Sequence, residues 1–508
     1  MEQADHKATG MLRQTALLTC ASAASFGLSF LLPLVLARTL SQAEFGLYKQ
    51  AFQIVATLVT LLNLQMAASG TYFIAREPER RAQIALNVML WYLLAGAVTA
   101  LVFLCWPQCV TLLVQGRELI PHVPLLGLAV LTGLFAINLD VLLLAVRDYR
   151  AVSVSVVAAQ LARLLLMLTA ALYFRTLTAL LLAVIIHGLL HSAVMLHYLR
   201  RHFGALLAPF DRRLFRAQLA NALPFGLGGI AGSLIGDLPH YFVAYYFDAA
   251  AFAIYAVGCF QMPLGRLLVS SFSSVIEPEA ARLVQAGDKA QLIQVWFRTT
   301  RHLSLLLAPL CALLFVVRHE FISLLFTRNY AAAVPLFAIS LLGVLLFVSR
   351  HLNILRAFNE HRYYRLKLYL VLLPVNWLAL QAGRHFGGLR GVVAAVVAAQ
   401  ALDVLCSIVP VAKALQVRAR DLRQLAPMLR VLIVTLAAAL MAAASRHVVQ
   451  AQPELWRLLT AGGVFGLIYL PGILCSGALT EAERHEIRLI VRQAGRVARW
   501  RRLAAEGA

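Results

Sequence analysis

The chain of 508 residues is 61% hydrophobic and only 13% charged, a composition that excludes an ordinary soluble protein. Its formal net charge of +22 is spread over short loops and both termini instead of forming one basic domain. Because such loops face anionic membrane lipids, the charge predicts contact with a membrane surface and not with nucleic acid.

Fourteen apolar stretches follow one another along the chain, and most approach the length of about 20 residues that crosses a bilayer. The ninth and eleventh stretches are shorter and need support from flanking residues. The predicted spans are residues 14–37, 47–69, 84–106, 122–145, 151–172, 176–197, 218–245, 250–272, 302–317, 332–349, 368–383, 390–412, 428–445 and 457–477. The sequence therefore predicts an all-α integral membrane protein with about 14 transmembrane helices.

The lysine and arginine residues outside the spans are distributed unequally between the two sides of the membrane. With fourteen spans, 33 of them lie on the side that holds both termini, and ten lie on the opposite side. Positively charged loops stay in the cytoplasm. Both termini are therefore predicted to be cytoplasmic.

The loops are short, and the largest predicted outer loop, residues 107–121, is too small to fold alone. A membrane glycosyl-polymerase or ligase needs a sizeable outer loop to hold its acceptor sugar, so an enzyme is not expected. The chain has no P-loop motif for ATP hydrolysis, and its seven cysteines form no C-x-x-C pair. The sequence predicts no cofactor and no metal.

Two segments of the chain resemble each other six spans apart. Phe45 and Tyr48 align with Phe252 and Tyr255, and in both copies an outward helix ends in a short polar turn before an aromatic-rich helix re-enters. In the first copy, Ser41–Glu44 has the spacing of a capping box. Parallel repeats of this kind are typical of transporters that hold their substrate between two halves.

The repeat predicts four parts. Residues 1–200 and 210–415 form two six-helix lobes in a pseudo-twofold arrangement, and residues 416–479 form a terminal helix pair. Residues 480–508 form a basic amphipathic tail on the cytoplasmic side, with one stripe of arginines at four-residue spacing. The tail is expected to lie on the inner leaflet or, alternatively, to dock a biosynthetic partner.

In the first lobe, ionisable side chains inside the spans are candidate functional groups, because burying them in lipid is costly. Arg163 lies near mid-bilayer on the fifth span, where it either faces the cavity or pairs with Asp140. His187 and His191 share one face of the sixth span. They are either hydrogen-bonded links between helices or proton carriers.

The second lobe contributes three more candidates. Arg266 on the eighth span and Asp403 on the twelfth fall at nearly the same depth, which predicts a buried ion pair, although Arg266 can also snorkel to the inner surface. Asp237 is a further candidate, on the seventh span.

The first lobe contributes one more candidate, Lys49, which stands near the outer end of the second span.

The segment LARTLSQAEFGLY, from Leu36 to Tyr48, resembles the start of the polysaccharide transporters, the O-antigen and exopolysaccharide flippases of the multidrug/oligosaccharidyl-lipid/polysaccharide (MOP) superfamily. The span number, the cytoplasmic termini and the six-helix lobes are similar as well. The resemblance implies a location in the bacterial inner membrane. It also implies a V-shaped cavity that passes a polyprenyl-diphosphate-linked oligosaccharide, and partners such as a polysaccharide polymerase and chain-length machinery.

The resemblance also implies cationic residues for the diphosphate on the first, second and eighth spans. Arg266 fits the eighth, whereas the first span has no internal cation and Lys49 stands only near the outer end of the second. The alternative is a drug or cation antiporter of the same superfamily, which usually has twelve spans. A major-facilitator protein is disfavoured because Arg76–Gln83 lacks that family's cationic motif.

Overall fold

The computed structural model describes residues 2–145, 149–203, 209–260, 276, 278–346 and 364–479, and every regular element in them is helical. The predicted tail, residues 480–508, lies outside the described residues. The longer helices are α1 Glu2–Thr39, α2 Gln42–Asn63, α3 Met66–Arg76, α4 Arg81–Cys105, α5 Val123–Ala145, α6 Tyr149–Thr169, α7 Leu177–Phe203, α8 Arg212–Tyr246, α9 Ala249–Gly258, α10 Lys289–Val316, α11 Arg318–Phe326, α12 Val334–Leu346, α13 Tyr364–Leu415, α14 Ala426–Val448 and α15 Glu454–Cys475.

Within the described residues, twelve helices are long and apolar enough to cross a membrane, so the predicted count of fourteen is not confirmed. One difference is α9, which occupies the start of the predicted eighth span but is only ten residues long. Residues 261–272 of that span lie outside the described part.

The second difference is α13, which covers the predicted eleventh and twelfth spans in one element. Gly388 interrupts it with a φ of 54°, a left-handed conformation that glycine adopts readily. A Cβ atom added to Gly383 would lie 2.4 Å from the carbonyl oxygen of Gly391. Eight residues of straight helix extend about 12 Å, so this contact requires the chain to reverse. The element is therefore two antiparallel helices joined at Gly388.

The described residues fall into two compact units. The first lies within Met1–Pro263, Leu325–Leu336 and Tyr363–Ala399, and the second lies within Leu264–Leu324, Phe337–Arg362 and Gln400–Ala508. These units are groups of residues that contact one another. Their boundaries differ from those of the predicted six-helix lobes, residues 1–200 and 210–415. The lobes stay a prediction.

The second membrane crossing is broken between α2 and α3. Leu64 and Gln65 both have left-handed backbones, with φ of 45° and 59°. A break inside lipid leaves backbone N–H and C=O groups without their helical partners, which is tolerated only where other groups replace them.

Side chains of α4 supply those replacements. The Trp91 indole N–H donates to the carbonyl oxygen of Leu62 at 3.0 Å. The Tyr92 hydroxyl accepts from the Ala67 amide at 2.9 Å and donates to Asn63 Oδ1 at 2.9 Å. Both ends of the break are thus hydrogen-bonded to one neighbouring helix, which fixes the direction of α2.

The predicted capping box at the start of α2 is confirmed. The Glu44 amide donates to Ser41 Oγ at 3.3 Å, and the Ser41 amide donates to Glu44 Oε2 at 2.9 Å. In the second copy of the repeat, Asp248 takes the same position and accepts from the Ala251 amide at 2.7 Å. Both re-entering helices therefore begin with a side-chain cap.

The two copies of the repeat pack against each other through α2 and α9. A Cβ atom added to Gly46 would lie 1.8 Å from the carbonyl oxygen of Ala249, so only glycine permits this approach. The four aligned aromatic residues are buried: Phe45, Tyr48, Phe252 and Tyr255.

Candidate functional site

Arg163 on α6 is a half-buried cation inside the membrane. It lies about 16 Å from the end of the helical segment at Phe174, at ~1.5 Å per residue. Its charge acts on the side chains of Tyr48 and His187. Within the part of the chain that the structure describes, it makes no hydrogen bond and no ion pair.

Lys49 on α2 is a second half-buried cation, and its ammonium group faces aromatic rings. Its Nζ lies 5.5 Å from the ring centre of Phe45 and 5.9 Å from that of Tyr48. Aromatic faces attract cations but leave the charge uncompensated. Among the described residues no carboxylate pairs with Lys49. Tyr48 is therefore close to both cations.

Asp237 on α8 is bound by neutral donors of α2. Gln53 Nε2 donates to Asp237 Oδ1 at 2.9 Å, and Thr57 Oγ1 donates to Oδ2 at 2.7 Å. The side chain of Tyr241 also lies beside Thr57. Each carboxylate oxygen thus has a donor, and Asp237 lies about 14 Å from the end of α8 at ~1.5 Å per residue.

Lys49, Gln53 and Thr57 form one stripe on α2, because residues four positions apart share a helix face. We call these three residues the α2 stripe. The cation of Lys49 and the carboxylate of Asp237 therefore lie at neighbouring turns of the same stripe without an ion pair between them. Among the side chains that the structure describes, this site holds two cations, Lys49 and Arg163, and one carboxylate, Asp237, which favours binding of an anion.

His187 and His191 lie one turn apart on α7, with ring centres 5.9 Å apart. His187 Nε2 donates to the carbonyl oxygen of Ala159 at 2.9 Å, which links α7 to α6. His191 is buried, with 8% of its surface exposed. The hydrogen bond of His187 places this pair next to the helix that carries Arg163.

The first turns of α8 are anchored by polar contacts with α3 and α4. Asn87 Nδ2 donates to Gln218 Oε1 at 2.7 Å, and Ser69 Oγ donates to the carbonyl oxygen of Gln218 at 2.8 Å. Asn221 Nδ2 in turn donates to Ser69 Oγ at 3.2 Å. These contacts fix the helix that presents Asp237.

Asp211, the N-cap of α8, is the last part of this anchor. Hydrogen bonds from the amides of Leu214 and Arg213, together with the guanidinium of Arg80, hold the pKa of the Asp211 carboxyl below its ordinary value. The negative charge at this helix N-terminus is favourable in itself.

Three predicted site residues remain: Arg266, Asp140 and Asp403. Arg266 lies outside the described residues, and so does the side chain of Asp140. Asp403 is half-buried on α13 and belongs to the second compact unit. The predicted pairs Arg163–Asp140 and Arg266–Asp403 therefore stay predictions.

The neutral members of the site, Gln53 and Thr57, were not among the residues predicted from the sequence. Their spacing of four and eight residues from Lys49 places them on one face of α2, and this spacing was the signal that could have found them. Their partner Asp237 lies 184 and 180 residues further along the chain, a distance that no local pattern bridges.

The profile of a family described as polysaccharide biosynthesis protein matches residues 11–284. No curated protein matches the sequence.

Several solved structures have a similar fold. The structure titled "Lipid II flippase MurJ, inward closed conformation" has a TM-score of 0.70 at 12% identity, covering 90% of this chain and 98% of its own. The bent form of the MATE transporter VcmN from Vibrio cholerae has a TM-score of 0.53 at 16% identity, with 82% and 99% covered. A MOP superfamily transporter from Pyrococcus furiosus has a TM-score of 0.55 at 13% identity, with 80% and 96% covered. At these identities the likeness establishes the fold, which is that of MOP superfamily transporters.

Proposed function

We propose, since the chain belongs to the polysaccharide biosynthesis protein family, that it is a flippase for a polyprenyl-diphosphate-linked oligosaccharide. It moves this lipid from the cytoplasmic to the outer leaflet of the bacterial inner membrane, for O-antigen or exopolysaccharide synthesis. The fold supports the proposal, because the similar structures include one titled as a lipid II flippase.

The observation that carries the proposal is the guanidinium of Arg163, which has no partner among the described residues. An uncompensated cation inside a bilayer costs several kcal/mol. A diphosphate has the opposite problem, since its negative charges cannot enter a low-dielectric space without a partner. The planar guanidinium binds phosphate oxygens through two parallel hydrogen bonds, so each group compensates the other during transport.

Lys49 provides a second cation for the same anion, nearer the predicted outer side. It lies about 10 Å from the start of α2, whereas Arg163 lies about 16 Å below Phe174, at ~1.5 Å per residue. A diphosphate that passes Arg163 on its way outward then meets Lys49. Arg266 remains our candidate for a third cation on the eighth span.

Transport in this proposal follows alternating access between two six-helix lobes, residues 1–200 and 210–415. The close packing of Gly46 on Ala249 supports a closed outer end between the repeated turns. Both helices carry capped N-termini at this contact, so they can separate as whole units without fraying.

The alternative is a multidrug or cation antiporter of the same superfamily. Asp237 favours it, because a carboxylate inside the membrane is a natural partner for a cationic drug or for a coupling proton. Asp237 is already hydrogen-bonded on both oxygens, whereas Arg163 is not paired within the described residues. Among the described side chains, the groups that still lack a charged partner are therefore cations, which favours the anionic substrate.

The experiment is complementation of a bacterial strain that lacks its own flippase for a lipid-linked oligosaccharide. We expect the protein to restore surface polysaccharide, Arg163→Lys to restore part of it, and Arg163→Gln to restore none while still reaching the membrane. The control is Arg117→Gln, which removes an arginine outside the site. Full polysaccharide with Arg163→Gln would refute the proposed role. Drug resistance that depends on Asp237, without any polysaccharide, would establish the antiporter instead.

A further inference from the structure

The second compact unit contains an apolar groove of about 300 Å³ that the proposed transport does not use. Its walls come from the end of α10 and the start of α11 on one side and from α15 on the other. Every residue that lines it is leucine, valine, phenylalanine or glycine, among them Val317, Phe321, Leu459, Gly462 and Gly463. Leu459 is 52% exposed, so the groove is open on the side of α15. We call it the α15 groove.

A buried ion cluster stands at one end of the α15 groove. Glu320 is only 2% exposed, and its Oε1 accepts from Arg446 Nε at 2.8 Å. Arg457 Nη1 lies 3.9 Å from the same oxygen. Glu320 directly precedes Phe321, and Arg457 directly precedes Leu458, so the cluster and the apolar walls are continuous along both helices.

Two arginines, Arg446 and Arg457, share the carboxylate of Glu320. A second carboxylate, Glu454, accepts from Ser323 Oγ at 2.6 Å. The side chains of Arg446 and Arg457 remain 27% and 30% exposed, which leaves donors available to a further anion.

The α15 groove and the arginines at its end are complementary to one anionic phospholipid in shape and in charge. Along α15, Gly463 lies about 9 Å from Arg457 at ~1.5 Å per residue, so the groove runs from the charged end toward the middle of the membrane. A phospholipid has an anionic phosphate at the membrane surface and an acyl chain that runs inward. Arginine binds phosphate through its planar fork, and an apolar groove excludes water around the chain.

We propose that the α15 groove binds one anionic phospholipid. Its phosphate contacts Arg446 and Arg457, and one acyl chain lies along Gly462 and Gly463. The lipid belongs to the leaflet on the predicted outer side, where the charge pattern places Arg318, Arg446 and Arg457. This lipid is a bound structural component and not the transported substrate, so the inference is independent of the proposed function.

The glycines of the groove allow a test that spares the fold. A Cβ atom added to Gly463 would meet nothing within 4 Å, and Gly463 lines the groove, so we expect the side chain of Gly463→Leu to occupy the groove. Gly466→Leu is the matched control, because Gly466 also has open space but does not line the groove. Arg457→Gln tests the headgroup contact and leaves the Arg446–Glu320 pair intact.

The measurement is native mass spectrometry of the purified protein incubated with phosphatidylglycerol or with phosphatidylcholine. We expect the wild type and Gly466→Leu to retain one phosphatidylglycerol molecule, and Gly463→Leu to lose it. Arg457→Gln should lose the preference for phosphatidylglycerol over phosphatidylcholine.

Three outcomes would overturn the inference. The first is equal retention of phosphatidylglycerol by Gly463→Leu and the wild type. The second is equal retention of the two lipids by the wild type. The third is a wild-type dimer that Gly463→Leu dissociates, which would identify a second copy of the chain as the occupant of the groove.

Discussion

The carboxylate of Asp237 is placed inside the membrane by two neutral donors, Gln53 and Thr57. Both hydrogen bonds to this carboxylate come from uncharged groups, and among the described residues no ion pair joins Asp237 to Lys49, one turn from Gln53. The ammonium group of Lys49 therefore has no paired carboxylate in the described structure.

Thr57→Val tests this arrangement at the residue scale. Valine keeps the shape of threonine but removes the donor to Asp237 Oδ2, and losing a hydrogen bond to a charged group costs about 1.5–3 kcal/mol. We expect a clear fall in the thermal unfolding temperature of the purified protein. Thr60→Val is the control, since the exposed hydroxyl of Thr60 bonds to the carbonyl oxygen of Ala56 on its own helix. Equal unfolding temperatures for the two variants would show that Thr57 does not stabilise Asp237.

The sequence predicted the charged members of the site one by one and missed the contacts among them. Lys49, Arg163 and Asp237 were identifiable because any ionisable group in an apolar span is exceptional. Gln53 and Thr57 were not, because uncharged polar residues cost less in a span. Their role depends on which helix faces them, and that is decided by packing between segments far apart in the chain.

At the scale of elements, the capping box and the broken second crossing differ in how far apart their interacting residues lie in the sequence. The capping box at Ser41 was predictable because all its partners lie within four residues. The break at Leu64 and Gln65 was not predictable, because neither residue is a glycine or proline. The side chains of Trp91 and Tyr92, from another helix, hydrogen-bond to the backbone on either side of the break.

Tyr92→Phe tests whether α4 holds this break. Phenylalanine fills the same space but leaves the amide of Ala67 and the side chain of Asn63 without their shared partner, at a cost of about 1–3 kcal/mol. We expect Tyr92→Phe to lower the thermal unfolding temperature, whereas Tyr173→Phe, at a residue that is 82% exposed, should not change it. If the two variants unfold at the same temperature, the hydroxyl of Tyr92 does not stabilise the break between α2 and α3.

At the scale of the whole molecule, the number of spans depends on α13. A single straight helix of 52 residues would extend about 78 Å, far beyond the ~30 Å of hydrocarbon in a bilayer. The reversal at Gly388 resolves this by dividing α13 into two antiparallel helices, each short enough to cross a bilayer once. Hydropathy alone predicted two spans here, and the contact between Gly383 and Gly391 gives the physical reason for them.

Reporter insertions test the reversal directly. We expect a reporter at Gly387 to lie outside the cytoplasm and one at Lys413 to lie inside it, because each half of α13 crosses the membrane once. The same topology places a reporter at Arg328 outside. A reporter at Gly387 that reports cytoplasm would exclude two crossings within α13.

We propose that the chain carries a lipid-linked oligosaccharide across a bilayer and uses Arg163 to do so. The most direct measurement uses purified protein in lipid vesicles with a fluorescent polyprenyl-diphosphate oligosaccharide in both leaflets. A glycosidase added outside digests only the lipids that reach the outer leaflet. With the wild type we expect digestion to continue until the inner leaflet is emptied. With Arg163→Gln it should stop when the outer leaflet is exhausted, as in vesicles without protein. Wild-type vesicles in which digestion also stops at the outer leaflet would contradict the proposed transport.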